Sequence, residues 1–532
     1  MKKQITKILS LLLIVVMVFT GCSTGNGNKS GDGSNTPATG TDNGSSEAPL
    51  DLKVMIWDRG DAAPGTTIEE NALADWIKEQ ILADINVNVT FQAVSRATTD
   101  DNIQMMMAGG TAPDIILTYD RTIFGSFAVD GGLTDLSDAI AKYGDVINTE
   151  LASILDVGKI DGVQYAIPAK RQWQKVRHIG MIRKDWLDTL GLEVPKTKEE
   201  LIAALYAFKE KDPGKLGDKL VPWAMSGDTS SEKMYLNFVS SYAEPSTEED
   251  TYVYSEWTKA LDTGAEEGFR ELNKLYNDGI ISKDFAVDTD SSIYQQAISN
   301  GQAGFFLDDA QRPMAWITTA QELNPEVEYV AVNAFEDSNG AYVNPANPLY
   351  GAYIMIPKAS EANVEAAVKY INWMANPENA IKVYYTPDYQ TDENGIPVTM
   401  TEDEKYAKGY PLTPADFCIA TQYWEYYNDP AAVVNSLKSS YPTFSEEYLS
   451  EFYTQITTGM TNAPVIQQIL EEESVYSSNV QSSAIIYAYN LISATPGTFD
   501  EVQKTKYTEL VQAGLDKILE ARANYYKDNV AK

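Results

Sequence analysis

MMMAGGTAPDIILTYD, residues 105–120, is the stretch on which the fold turns. Its methionines close a short helical segment that Gly109 and Gly110 stop, and Pro113 opens an apolar run closed by Tyr119 and Asp120. Working back toward the amino end, NVNVTF (86–91) alternates Val87, Val89 and Phe91 as a strand does. Before it, Leu73, Trp76, Ile77, Ile81 and Ile85 recur at helical spacing, behind a capping box expected at Thr67 and Glu70. LKVMIWD (52–58) reads as a buried strand ending in an aromatic ring and a carboxylate. Strand, helix, strand, helix, strand predicts a mostly parallel α/β sheet. Ligands of such sheets lie at the carboxyl ends of the strands, which gathers Trp57, Asp58, Tyr119 and Asp120 near one cleft.

Working forward, a second unit begins after GVQYAIPAKRQW (162–173), where Lys170, Arg171 and Trp173 form a basic and aromatic patch in a strongly acidic chain. A helix is expected behind Thr197, with Glu200 in the box position. GQAGFFLDD (301–309) reads as another strand ending in acids, and YGAYIMIPK (350–358) as a strand followed by a helix over 361–375. The remainder to Lys532 reads as helical and rich in tyrosine, with no repeat of solenoid period.

The amino end has a different character. Lys2 and Lys3 precede an apolar run from Ile8 to Phe19, too short for a spanning helix and laid out as a secretory signal. Cleavage after Gly21 would expose Cys22, whose thiol and amine can both be acylated; two or more chains anchor firmly where one does not. The alternative is an ordinary secreted chain with a chance cysteine. Residues 22–50, dominated by Gly, Ser, Thr and Asn, read as a flexible tether. Cys418 is then left without a disulfide partner.

About 480 residues remain, enough for two ordinary domains. The formal net charge is −35, a field that repels nucleic acid and anionic lipid and favours neutral or cationic ligands unless a local basic pocket intervenes. The 32 tyrosines and 9 tryptophans suit surfaces that are apolar yet hydrogen-bonding.

The acylable cysteine, the tether, MMMAGGTAPDIILTYD, DGVQYAIPAK, GQAGFFLDD and YGAYIMIPK, in that order, resemble the extracellular solute-binding lipoproteins of carbohydrate ABC importers, specifically their large oligosaccharide-binding branch. The resemblance runs from Met1 and loosens after about residue 400. It implies a two-lobed periplasmic-binding-protein-like α/β fold with crossover hinge segments and a helical C-terminal extension. The expected division is residues 1–21 signal, 22–50 tether, 51–165 plus 300–350 lobe one, and 170–295 plus 352–532 lobe two. It also implies capture of an oligosaccharide, delivery to ABC permease subunits, and attachment to the outer face of the bacterial membrane through Cys22. Trp223, Asp308, Asp309 and Tyr350 would then stand beside crossover strands, and Trp424, with Tyr423, in the looser helical region, as further ligand contacts.

The resemblance also brings a departure. Large relatives often carry an acidic calcium loop after the lobe-two helix, whereas KDPGKLGDKLVP (211–222) offers only Asp212 and Asp218. Calcium takes six to eight oxygens, so no metal and no cofactor is expected, the alternative being a site completed by carbonyls and distant residues. His178, the single histidine, reads as an ordinary packed or exposed residue. No GxSxG, HExxH, GxxxxGK[ST] or paired CxxC is present, so no enzyme is expected. The competing readings are a peptide importer, a glycoside-active enzyme using two carboxylates gathered in space, and a surface adhesin without an enclosed cleft.

Overall fold

The computed structural model describes residues 48–171, 173–228, 234–393, 395–421 and 430–531. Cys22, the signal, the tether up to residue 47, Tyr423 and Trp424 lie outside them.

β1 (Leu50–Asp58) runs parallel to β2 (Val87–Ser95), from Leu50 opposite Val87 to Asp58 opposite Ser95. Parallel neighbours need a crossover, supplied by helix α1 (Ala72–Ile85), whose Leu73, Ala74, Ile77 and Ile81 face the sheet core. Its cap is not Thr67. Asn71 accepts from the amides of Leu73 and Ala74, and its side-chain nitrogen also donates to the carbonyls of Thr67 and Ile68. An amide side chain can both accept and donate here, whereas the Thr67 hydroxyl accepts from Glu70 N in a separate turn. Helix α2 (Thr99–Gly109) ends at Gly110 in the left-handed conformation, as expected from the paired glycines.

β3 (Ile116–Thr118) is shorter than the apolar run 113–120. At one end, Asp114 turns its carboxylate onto Lys53 N and the Asn363 side chain. At the other, Asp120 leaves the strand to cap helix α3 (Arg121–Val129). A small hairpin, β4 (Lys159–Ile160) and β5 (Val163–Gln164), leads to β6 (Ala166–Lys170).

Beyond residue 171 the chain builds a second sheet from β7 (His178–Arg183), β8 (Val221–Ala224), β9 (Ala303–Asp309) and β10 (Tyr329–Val332), in the order β10-β7-β9-β8. It then returns through β11 (Asn344–Pro345) to β12 (Tyr350–Met355), which lies antiparallel between β3 and β6. Each sheet is therefore mixed: β1, β2 and the Val54–Ile115 bridge are parallel, while the strands that enter from the other sheet pair antiparallel.

Two hydrophobic cores result, the two lobes. One gathers side chains between Leu52 and Ala169 and again between Ala352 and Ala420; the other gathers Trp173 to Phe335 and Val433 to Ile518. The chain is shared out differently from the expectation. The 301–309 strand, expected in lobe one, is the third strand of the second sheet, and the 352–420 segment, expected in lobe two, belongs with β1 and β3. Sheet partnership is a long-range choice that local periodicity does not encode. The expected helical tail is present as helices 471–492, 499–513 and 515–529, which thicken the second core alone.

A strap joins the lobes on one side. Met460 and Thr461 pair with β11, and the following residues lie across the first lobe. Arg121 donates to the carbonyls of Ile466 and Gln468, and Asp161 N donates to Gln467 O. Ile469 packs so closely on Gly125 that a Cβ there would lie 1.9 Å from its terminal carbon.

In the 211–222 loop, Asp212 takes a left-handed turn at φ 43° behind the helix capped by Thr197. Its two oxygens accept from Leu216 N and Gly217 N, each at 2.8 Å, so they hold the loop backbone. Among the described residues no three His, Cys, Asp or Glu side chains gather as a metal site. Nor is any helix there long and apolar enough to cross a membrane.

Candidate ligand cleft

The carboxyl ends of β1, β2 and β3 meet at one edge of the first lobe. Trp57 is 3% exposed and its indole stacks on the Tyr119 ring at 5.3 Å, the planes 12° apart. The Arg96 guanidinium lies 4.9 Å from the indole and 4.8 Å from the phenol. Tyr119, 38% exposed, is thus the ring presented to solvent, with Trp57 as its backing. Arg59 donates to both oxygens of Asp416, which raises the Arg59 pKa, while burial pushes the Asp416 pKa up against that pairing. Trp57 Nε1, Asp61 Oδ2 and Arg96 Nε are buried without a hydrogen-bond partner among the described residues. Asp58 and Asp120 are occupied locally: Asp58 accepts from Gly60 N at 2.8 Å, and Asp120 from Thr122 N and Ile123 N.

The crossover segments form the floor. Arg171 and residues 173–177 run beside residues 345–349, with Arg171 N donating to Leu349 O, Asn347 N to Lys175 O, and Val176 bridged to Ala346. Lys170 Nζ donates to the Glu150 carbonyl, and burial lowers its pKa. Trp173 is 7% exposed, between the Lys175 ammonium at 4.5 Å and the Tyr453 ring at 5.3 Å. Arg177 Nη1 faces Asp309 Oδ2 at 3.4 Å and Asn347 Oδ1 at 3.2 Å.

Three hollows meet at this floor, and Pro348 lines them all. The largest, about 490 Å³, lies between Ile154 and Val157 of the first lobe and Tyr254 and Glu256 of the second, with Tyr342 and Tyr350 in its wall. A hollow of about 230 Å³ is lined by Arg171, Trp173, Lys175, Arg177, Asp309 and Asn347. One of about 270 Å³ joins Arg171, Arg177 and His178 to Glu256 and Trp257. The Tyr350 hydroxyl has its pKa raised by burial and by Glu256, with Arg121 and Arg171 acting in the opposite sense.

Residues 73–381, more than half of the chain, match the family of bacterial extracellular solute-binding proteins. The chain belongs to that family. It is 27% identical over 301 residues to the lipoprotein LipO of Bacillus subtilis (strain 168), covering 54% of this chain and 58% of that one. It is 25% identical over 392 residues to the polygalacturonan/rhamnogalacturonan-binding protein YtcQ of the same organism, covering 70% and 74%. Among solved structures, an HMO-binding, ABC-transporter-associated solute-binding protein from Bifidobacterium longum infantis superposes with a TM-score of 0.66. It covers 91% of this chain and all of its own, at 16% identity, a likeness of fold.

In this solute-binding protein some expected contacts stand away from the hollows. Trp223 has no exposed surface; it packs edge-on against Phe238 at 5.4 Å and Phe305 at 5.1 Å, inside the second core. Asp308 is also fully buried, accepting from the Tyr294 hydroxyl at 2.7 Å and Asp309 N at 2.6 Å, and burial pushes its pKa up to about 6. Along β9 successive side chains face opposite ways, so Asp309 reaches the cleft that Asp308 cannot. His178 is a buried strand residue bordering the 270 Å³ hollow.

Sequence reasoning passed over Arg59, Arg96, Asp416, Glu256 and Arg177. Arg96 directly follows β2, so the strand-end rule that nominated Trp57 reaches it too. Arg177 lies in the same crossover as Arg171. Glu256 and Asp416 carry no local signal: short 3₁₀ turns bring them in.

Proposed function

We propose that the chain is the substrate-binding protein of an ABC importer, capturing an extracellular oligosaccharide between its lobes and passing it unaltered to membrane permease subunits. The observation that carries this reading is the meeting of three hollows at Pro348, on a segment that crosses between the two cores. A ligand seated there touches both lobes and the crossovers about which they turn. Tyr119, Tyr254, Tyr342 and Tyr350 offer flat faces for sugar rings, while Asn347 and Gln174 offer amides for hydroxyls that lose water. Trp57 and Trp173 act as backing for Tyr119 and Lys175; Trp223, Asp308, Asp58 and Asp120 hold the fold. The names of two relatives support the ligand class: YtcQ, and the fructooligosaccharide ABC transporter substrate-binding protein FusA of Streptococcus pneumoniae, 21% identical over 431 residues. Acylation of Cys22 would keep the receptor at the outer membrane surface beside its permease.

Calorimetric titration of the purified protein against plant, microbial and host oligosaccharides, with peptides alongside, tests this. A saturable heat with a glycan that is recovered chemically unchanged is the expected outcome. Binding of peptides alone would move the protein to another nutrient, and turnover of the bound glycan would make it an enzyme.

A further inference from the structure

The distribution of charge around the hollows runs against that of the chain. The protein carries a net charge of −35, yet among the described residues the 230 Å³ hollow is lined by Arg171, Lys175 and Arg177 against one carboxylate, Asp309. That carboxylate is committed: it accepts from Gln311 N at 2.9 Å and faces Arg177 at 3.4 Å. Lys175, 5% exposed, is packed on Trp173. Arg171 differs from both. It lines the 230 and the 270 Å³ hollows, makes no ion pair among the described residues, and its Nε is buried without a hydrogen-bond partner there.

Glu256 shares the 270 Å³ hollow but makes no ion pair with Arg171. A guanidinium without a directly paired carboxylate is poorly solvated in a hollow, and closure of the lobes over a neutral ligand would strip it further. An anion from the ligand removes that cost. A guanidinium is a planar fork of parallel donors that matches a carboxylate through two hydrogen bonds. With Arg177 set against Asp309 and Lys175 packed on Trp173, Arg171 is the donor placed to meet a ligand carboxylate. The rest of the wall, Tyr350 and Asn347 close by, suits a sugar ring.

We infer that the ligand is an acidic saccharide, a uronate-containing oligosaccharide whose carboxylate pairs with Arg171 at the crossover floor. This rests on the oligosaccharide reading above and narrows it. The acidity of the whole molecule does not oppose it at equilibrium, because exposed charges more than about 8 Å away are largely screened at physiological salt while the hollow is not. The long-range field does act on encounter. An acidic ligand approaching a strongly negative protein associates faster as salt is raised, the reverse of the usual steering effect, and a neutral ligand is indifferent.

The test pairs each uronate oligosaccharide, from the galacturonic, glucuronic, mannuronic and guluronic series, with its own methyl ester. Both are titrated into the full protein beside neutral and sulfated glycans. At least one acid should bind about tenfold or more tighter than its ester, as a charge-assisted hydrogen-bonded pair implies, with its association rate rising with salt. Arg171→Gln should abolish the difference between acid and ester, and Arg171→Lys should retain part of it. The ligand-side comparison does not depend on how the variants fold; a thermal melt checks that they do. Equal binding of acid and ester, or binding of neutral or sulfated glycans alone, overturns the inference and leaves the oligosaccharide receptor standing. Discrimination that survives Arg171→Gln in a folded protein places the carboxylate elsewhere and overturns the assignment. Silence toward every saccharide, with a peptide binding, overturns the underlying function as well.

Discussion

Trp57 and Trp223 occupy the same kind of place in the sequence, near the end of an apolar strand, and lead different lives. In the first lobe the strand ends open onto a cleft, and Trp57 lies behind Tyr119 with Arg96 against both rings. In the second lobe the corresponding end of β8 is roofed by Phe238 and Phe305. There the helix 471–492 adds further cover, its Tyr489 standing edge-on to Tyr235 and Phe285. The strand-end rule gives position within a sheet. Exposure depends on what the rest of the chain lays over it.

The contrast breaks most decisively under Trp223→Ala. Emptying that fully buried site should cost about 3–5 kcal/mol of stability, the range for Trp to Ala in cores. Denaturant unfolding measures it, and a loss under about 1 kcal/mol would mean that the second lobe's strand ends are as open as the first's.

Asp308 against Asp309 sharpens the contrast at neighbouring positions. Burial raises the Asp308 pKa from 3.8 to about 6 in the folded protein, so between these values the folded state binds the proton that the unfolded state has released. Stability from this group is therefore greatest in acid and declines as pH rises from about 4 to 6, by roughly 2–3 kcal/mol. Unfolding at pH 5 and pH 7, wild type beside Asp308→Asn, isolates it. The variant, still able to accept from the Tyr294 hydroxyl, should lack this share of the pH dependence; identical pH profiles would contradict a buried, perturbed carboxyl.

The smallest effect on stability is expected at the cleft edge. Tyr119→Ala removes a partly exposed ring and should stay within about 1 kcal/mol in unfolding, yet weaken saccharide binding by about 0.5–1.5 kcal/mol if the ring stacks on sugar. Unchanged affinity in the folded variant would leave Tyr119 as cover for Trp57.

How far the sequence reveals this molecule follows from the range of each interaction. The Thr197 cap, the alternation of β2 and the Gly110 stop are contacts between residues a few positions apart, and all stand where the pattern placed them. An asparagine and a threonine both nominate a helix start, and it is the buried Asn71 that caps α1. Membership of β9 in the second sheet, and of 352–420 in the first lobe, depends on pairings more than a hundred residues long in sequence, such as His178 with Asp309 and Tyr353 with Thr118. At the cleft, Arg171 is legible as part of a basic and aromatic patch in an acidic chain, Asp309 as an acid closing a strand, and Tyr350 as a ring beside a crossover strand. Glu256 and Asp416 arrive on turns that no periodicity marks.

The strap from Met460 to Ile469 changes how affinity is to be understood. Its carbonyls at Ile466, Gln467 and Gln468 receive donors from the opposite lobe, and Ile469 fills the space over Gly125. Motion that carries the lobes apart along this side must return those carbonyls to water and uncover that isoleucine. A strap so held would weight any balance between open and shut forms before a ligand arrives, since observed affinity is the intrinsic affinity scaled by the fraction already competent to bind. Residues that never meet the cargo would then share in setting how tightly it is held and how readily it is let go.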